Sequence, residues 1–289
     1  MVQELITLKS GKIFDYLHHI DARAYGKPRR LSVYLGEFDD GSILFDCGSS
    51  LDVENVLCYF KNKKIPLESF RYLVTSHHHF DHNGGMYLLY EELKKHNPEV
   101  KILTNEMTMD LLNNFEDHLN RAKRTYGDLI GKMKPIEKSA FKIVNPSKIF
   151  SSDLNKLEIV DVFHKGGDEI KLGIFYAPGH TPDHQCPFLI RNNKMEFIFL
   201  GEAVGTIYHS SKLVTMPTSM PIYFNYSEFM ETLANLKKLS AIKAGFGHFG
   251  VINGKQNVKA IIIEHEKFLK KFRAEIIKAY QEKPETRHV

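Results

Sequence analysis

Six consecutive residues, His77-His78-His79-Phe80-Asp81-His82, carry four imidazoles and one carboxylate. They follow directly on Tyr72–Thr75, a short apolar run of strand character. In a loop leaving a strand end, alternate residues can face the same way, so His77 and His79 could reach one metal ion. Asp81 and His82 could turn toward a second ion beside it. Imidazole and carboxylate suit zinc, iron or manganese. The competing explanation is a solvated histidine-rich loop, and for a lone histidine it would be the better one. Grouped imidazoles without a cation repel one another as they protonate near their ordinary pKa of about 6.5, and a bound cation removes that repulsion.

Two adjacent cations would acidify a shared water; a bound zinc alone brings the pKa of its water from 15.7 to about 7. One ion could polarise the electrophilic oxygen while the other stabilises the departing atom. Asp81 is the candidate catalytic residue, because it could hold a metal and orient the attacking oxygen with its free carboxylate oxygen. The chemistry this suits is hydrolysis of an ester, thioester, lactone, amide or phosphoester.

Several elements must position these groups. Runs Ser32–Phe38 and Ser42–Asp46 flank the turn Asp39-Asp40-Gly41 and read as a β-hairpin. Apolar spacing predicts a helix over 53–64, a second over 86–96, and strands at Phe70–Ser76 and Val100–Thr104. A polar helical stretch covers about 105–140, an insertion in the pattern. Strand signals return in FKIVN, LEIVDVF, EIKLGIFYAP and MEFIFLGE. A helix follows near 226–239, then a short strand ending in AGFGHFG. A helical tail spans about 256–282, with Ile261, Ile262, Phe268, Leu269 and Phe272 on the side expected to pack. Alternating helix and strand predicts an α/β layered fold, read as one domain over 1–289.

The 289 residues are 43% hydrophobic and 26% charged, which excludes a largely disordered chain. No apolar run approaches the ~20 residues of a membrane helix, and the first residues lack a signal-peptide core, so a cytoplasmic protein is expected. Cys47, Cys58 and Cys186 have no paired spacing, which argues against disulfides or a CxxC zinc knot. Lys and Arg number 39 against 35 Asp and Glu, giving +4, with no concentrated basic face. A nucleic-acid partner is not expected.

H-x-H-x-D-H after a buried strand resembles the metallo-β-lactamase superfamily, and the likeness runs from about residue 32 to 250. FDCGSS resembles the family's first motif, which would make Asp46 a group that holds the metal loop from behind. YAPGHTPDHQ resembles the third motif and implies His180 as a metal ligand; GFGHFG resembles the fifth and implies His248. FIFLGEAVG resembles the fourth, in which an acidic residue after the glycine bridges two metals. The implied fold is an αββα sandwich of two packed sheets with helices on both outer faces and the site at one sheet edge. The implied cofactors are two divalent ions, zinc first, with iron or manganese as alternatives. Metal ligands would be His77, His79, Asp81, His82, His180, Glu202 and His248.

The fourth motif departs from the family, which usually has Asp where this chain has Glu202. The extra methylene moves the carboxylate outward by about 1.5 Å. Either the ions sit differently or Glu202 holds only one of them. On the motif alone, Glu202→Asp is expected to keep or raise affinity for the second ion. His184, four residues after His180, is expected behind the ligands or near substrate.

A small-molecule hydrolase of a thioester, ester or lactone is the favoured function, on a likeness of the APGHTPDH segment and helical tail to the glyoxalase II and lactonase branch. The motif of secreted β-lactamases lacks the histidine at the position of His82. Flavin-dependent diiron members would carry Glu in place of His79. The alternatives are a phosphodiesterase, an iron-dependent oxidoreductase, and a ligand-sensing protein that keeps the metals. Tyr208 and Tyr223, with His209 and Phe224, are expected near substrate, and Phe115 and Tyr126 of the insertion as a lid. A homodimer is left open.

Overall fold

The central strands of this chain are buried at nearly every position rather than at alternate ones, and such strands have cover on both faces. The computed structural model describes residues 5–209, 213–219 and 222–282, without the side chains of 208, 209 and 213. After β1 (Ile6–Thr7), the chain lays down β2 (Gly11–Lys12), β3 (Leu17–Asp21), β4 (Ser32–Phe38), β5 (Gly41–Phe45), β6 (Phe70–Val74), β7 (Lys101–Thr104) and β8 (Phe141–Ile143) as one seven-stranded sheet in that order. The hairpin β4–β5 is antiparallel, and β5, β6, β7 and β8 run parallel. Parallel neighbours require crossovers. Here α1 (Val53–Lys63) links β5 to β6, and α2 (Phe80–Asn83) with α3 (Met86–Lys94) links β6 to β7.

The second sheet contains β9 (Asp161–Lys165), β10 (Asp168–Tyr176), β11 (Gln185–Arg191), β12 (Lys194–Phe199), β15 (Lys243–Phe246) and β16 (Gly250–Asn253), in the order β1-β16-β15-β12-β11-β10-β9. A small hairpin, β13 (Thr206–His209) and β14 (Leu213–Met216), stands apart from both sheets. The sheets face each other across Tyr34, Phe45, Phe163, Phe197 and Phe199, all fully buried. Truncating one of these rings to Ala would cost about 3–5 kcal/mol. Helices α1 and α3 cover the outside of the first sheet. Helices α6 (Tyr226–Leu236) and α7 (Lys255–Glu282) cover the outside of the second. This is the expected αββα sandwich.

Three sequence readings are corrected. The insertion is helical at α4 (Glu106–Asn113), α5 (Glu116–Tyr126) and two 3-10 turns at Gly127–Ile130 and Lys138–Ala140, with no helix over 131–137; Gly127 and Gly131, at φ 59° and 70°, end the helical run before Pro135. Strand β11 was not among the expected strands; its Pro187, a residue uncommon in a central strand, pairs with Ile174 within the ladder. The packed side of α7 ends at Leu269, whereas Phe272 is 37% exposed. Among the described residues, no helix is long and apolar enough to cross a membrane.

Two histidines are part of the packing. His265 of α7 is buried, and its Nδ1 lies 2.8 Å from Thr215 Oγ1. The Thr215 hydroxyl donates to Glu264, so it accepts from His265 Nδ1–H and leaves the buried Nε2 without a partner. Burial pushes the pKa of His265 down to about 4, and that of His19 likewise to about 4. The unfolded chain therefore takes up protons below about pH 6.5 that the folded chain refuses. The stability these neutral histidines contribute is present above pH 6.5 and is lost as pH falls toward 4, about 3 kcal/mol for each. Urea midpoints should fall between pH 7 and pH 4.5, and the fall should be shallower in His265→Gln; an identical pH slope in that variant would contradict this account.

Candidate metal centre

The site residues all leave strands at one end of the sandwich. Asp46 follows β5, His77 to His79 follow β6, and Asp81 and His82 lie on α2. His180 and His184 lie between β10 and β11, Glu202 follows β12, and His248 joins β15 to β16. The two sheets are fastened together below this edge. The Tyr34 hydroxyl of β4 lies within hydrogen-bond distance of the carbonyls of Phe246 and Gly250, at 2.9 and 3.0 Å, and the Ser32 N–H donates to the Gly247 carbonyl at 2.7 Å. Gly247 leaves no room for a side chain, since a Cβ there would lie 2.4 Å from the His82 ring.

Hydrogen bonds on the outer side of each ring fix which nitrogen faces inward. His82 Nδ1 donates to Asp46 Oδ2 at 2.9 Å, His180 Nδ1 to the Thr218 carbonyl at 2.8 Å, and His248 Nδ1 to the Arg30 carbonyl at 2.7 Å. The Ser76 hydroxyl donates to Asp46, so it accepts from His77 Nδ1 at 2.9 Å. In each of the four, Nε2 is the nitrogen that points into the cage. Such an arrangement is the usual support behind a metal-bound imidazole. His79 differs: its Nδ1 faces inward, 3.1 Å from His180 Nε2.

Of three groups of potential ligands among the described residues, His78, His79 and His118 form one in which His78 Nδ1 and His118 Nε2 are taken up by Asp183 and the Phe80 N–H, and the other two ligand sets face the cage. His77, His79, His180 and Glu202 bring one donor atom each within 4.8 Å of one another, as do Asp81, His82 and His248. Glu202 Oε2 lies 2.7 Å from His180 Nε2 and 3.3 Å from Nε2 of both His77 and His82. Its longer side chain thus reaches from the first set into the second. His77 Nε2 is fully buried and makes no hydrogen bond, so its lone pair has only Glu202 for company. A donor set of five imidazoles and two carboxylates with an orphaned inward lone pair fits divalent cations.

The electrostatics follow the same division. Burial pushes His77 and His79 toward the neutral form, His79 to about 4. Burial opposes charge at His82 too, but Asp46, Glu202 and Asp81 outweigh it and hold its pKa well above the usual value. Burial would raise Glu202, yet His180, His77 and His79 hold its carboxyl well below the usual range. Metal binds neutral imidazoles and ionised carboxylates, so His77, His79 and Glu202 are already in the binding form, whereas a cation at His82 must displace the proton that the surrounding carboxylates hold there.

Behind the ligands stand the two residues read as supports. Asp46 accepts from Ser76 N, Ser76 Oγ, Asn83 Nδ2 and His82 Nδ1, all between 2.6 and 2.9 Å. His184 accepts the Glu202 N–H at 3.1 Å and is buried, so it holds the carboxylate's backbone and does not reach substrate. Tyr223 lines the cavity over the ligands; the side chain of Tyr208 lies outside the described residues, as does that of His209. Tyr126 also lines the cavity, whereas Phe115 packs into the core below the first sheet and Phe224 lies against Phe229.

Sequence reasoning missed several groups. Asp183 accepts from the backbone and ring of His78, each at 2.9 Å, and pins the outer side of the histidine loop. His118 of α5 stacks on His79, with ring centroids 5.0 Å apart and planes 5° apart, while its Nε2 accepts the Phe80 N–H. The Tyr25 hydroxyl lies 3.4 Å from Asp81 Oδ2. The cavity measures about 920 Å³ and is also lined by Arg29, Arg30 and Arg121. The only sequence signal for His118 and Arg121 was their helical spacing in a segment read as an insertion.

The sandwich and the ligand edge together define a metallo-β-lactamase-type fold with a metal-binding site. The profile of the metallo-β-lactamase superfamily matches residues 26–195, more than half of the chain, and the chain belongs to that superfamily. Its fold is similar to that of an archaeal superfamily protein from Sulfolobus tokodaii, with TM-score 0.64 and 24% identity over 87% of this chain and 85% of that one. It is also similar to a metallo-β-lactamase of Cronobacter sakazakii, a variant in its HARLDQ motif, with TM-score 0.62 and 14% identity over 94% and 99%. A B3 metallo-β-lactamase described as the first with an active site glutamic acid gives TM-score 0.64 and 15% identity over 94% and 92%. No curated protein sequence matches the chain.

The geometry reverses the expectation for Glu202→Asp. Withdrawing the carboxylate by one methylene removes it from one of the two ligand sets, so zinc affinity at that set should fall rather than hold. Asp46→Asn removes an acceptor from His82 and should weaken zinc at the Asp81, His82 and His248 set by about 10–100-fold. Competition with a chromophoric chelator measures both, and unchanged affinity in either variant would contradict the role given to that residue.

Proposed function

We propose that this protein is a metal-dependent hydrolase of a small-molecule thioester, ester or lactone, with two divalent ions held by the two ligand sets. The observation that carries this reading is the position of the Glu202 carboxylate, within 3.3 Å of inward nitrogens from both sets. His77, His79 and His180 would hold one ion, Asp81, His82 and His248 the other, with Glu202 shared. Bound there, a pair of divalent ions supplies acidified water and polarises a carbonyl oxygen.

The chain's own residues do the rest. Asp81 Oδ2 lies 3.4 Å from both the His248 Nε2 and the Tyr25 hydroxyl, leaving its carboxylate able to hold a ligand position and accept a proton hydrogen bond. Burial and the Asp81 charge keep the Tyr25 phenol protonated, well above its usual pKa, so it remains a donor at any working pH. That donor stands at the cavity wall, where it can orient a substrate oxygen. Met216, Pro217, Ile207 and Phe249 line the same cavity and exclude water from one side of it. Zinc is the first expectation for the metal, since it suits imidazole-rich sites and needs no redox partner.

The test is hydrolysis of matched thioesters, lactones and phosphodiesters by protein purified without added metal, before and after chelation. Thioester or lactone turnover that disappears on chelation and returns with zinc is expected. His79→Ala should lose it by about 10³-fold or more while its circular dichroism is unchanged. Turnover that persists in His79→Ala, or after full chelation, would contradict the reading.

A further inference from the structure

The cavity wall has a charge pattern that hydrolysis alone does not require. Arg29, Arg30 and Arg121 all line it. The only acidic residues among its lining are Asp81 and Glu202, both committed to the ligand sets. Among the described residues, the arginine ion pairs are those of Arg71 and Arg191, neither of which lines this cavity; none involves Arg29, Arg30 or Arg121. Three guanidinium groups therefore share one concave surface, and among the described residues none of them is in an ion pair.

Arg121 is also held in place. Its Nη2 is 3.4 Å from the Tyr223 hydroxyl, and its guanidinium carbon lies 5.7 Å from the centre of the Tyr223 ring. A second aromatic contact fixes the helix that carries it. Tyr126 of α5 stacks on Tyr25 with centroids 5.7 Å apart and planes 8° apart, which ties α5 to the segment bearing Arg29 and Arg30. On α5, His118, Arg121, Ala122 and Thr125 line the cavity at helical spacing. His118 stacks on the ligand His79, and Arg121 follows about one turn, or about 5 Å, further along the helix. The face of α5 is thus a ruler running from the ligand sets to a fixed cation.

We propose that Arg121, together with Arg29 and Arg30, is an oxyanion-binding subsite, and that the substrate carries a carboxylate or phosphate on its non-reacting arm a few bonds from the scissile group. This rests on the hydrolase reading for the word substrate, but the subsite itself is defined by the chain's arginines. Planar guanidinium groups bind carboxylate and phosphate through paired hydrogen bonds; Arg121 is half-buried, and Arg29 and Arg30 are exposed to an incoming anion. A neutral ester or lactone of the same size would leave the three charges without a counter-charge.

Equilibrium binding tests this without turnover. Glutarate and propylphosphonate are titrated calorimetrically into the protein as purified, with the neutral diamide glutaramide as the control. At least one anion should bind about tenfold or more tightly than glutaramide. Arg121→Ala should remove most of that preference, Arg121→Lys should restore part of it, and Arg30→Ala should reduce it independently; thermal melts establish that each variant is folded. Glutarate and propylphosphonate distinguish a carboxylate from a phosphate arm. If neither anion binds better than glutaramide, or if the preference survives in both Arg121→Ala and Arg30→Ala, the anion is held elsewhere and the proposal is overturned. Arginine-dependent binding without turnover of any ester would retain the subsite and remove the hydrolase reading instead.

Discussion

A carboxylate sealed from water must be satisfied by the protein, and Asp46 is satisfied four times over, by the backbone and hydroxyl of Ser76, the amide of Asn83 and the ring of His82. The end of a hairpin strand is thereby joined to both ends of the histidine loop. Ser76, oriented by Asp46, in turn accepts from His77, so two inward-facing imidazoles depend on a single buried acid. Asp46 itself sits at φ 56°, a backbone state that a residue other than glycine adopts only where surrounding contacts hold it there. Its four hydrogen bonds are those contacts.

The sandwich gives this arrangement its rigidity. One sheet delivers Asp46 and the histidine loop, and the other delivers His180, Glu202 and His248. The ligand cage exists only because the two sheets meet at that edge, over a layer of buried aromatic rings between Tyr34 and Phe199. Gln185 reaches across from β11 to the Thr75 carbonyl at 2.8 Å, and Asn105 binds both Gln185 and the Asp183 carbonyl at 2.9 Å. These polar cross-links lie immediately behind the ligands, where a small shift of one sheet would misplace them.

Much of this was legible in the residues. The histidine cluster after an apolar strand and the short motifs around His180, Glu202 and His248 named the residues that the structure brings together as candidate ligands. The reach of Glu202 was not legible, because it depends on how far the β12 end stands from the opposing loop, and that distance is set by packing. His184 offered no hint of its partner, the Glu202 N–H, for the same reason. A place over the site was expected for Tyr126 of α5, but not for His118 or Arg121 of the same helix. Its sequence reads as a polar helix, and Glu116, Asp117, Asn120, Lys123 and Arg124 are indeed exposed, yet His118, Arg121, Ala122 and Thr125 form a second face on the cavity, set by the docking of Tyr126 against Tyr25.

The central claim is that two ions share the Glu202 carboxylate. Anomalous X-ray scattering at the metal absorption edges, from crystals of protein purified without added metal, addresses it directly. The account predicts two peaks about 3.5–4 Å apart, one against His77, His79 and His180 and one against Asp81, His82 and His248, with Glu202 between them. A lone peak, or a second ion with Glu202 turned away from it, would contradict the account.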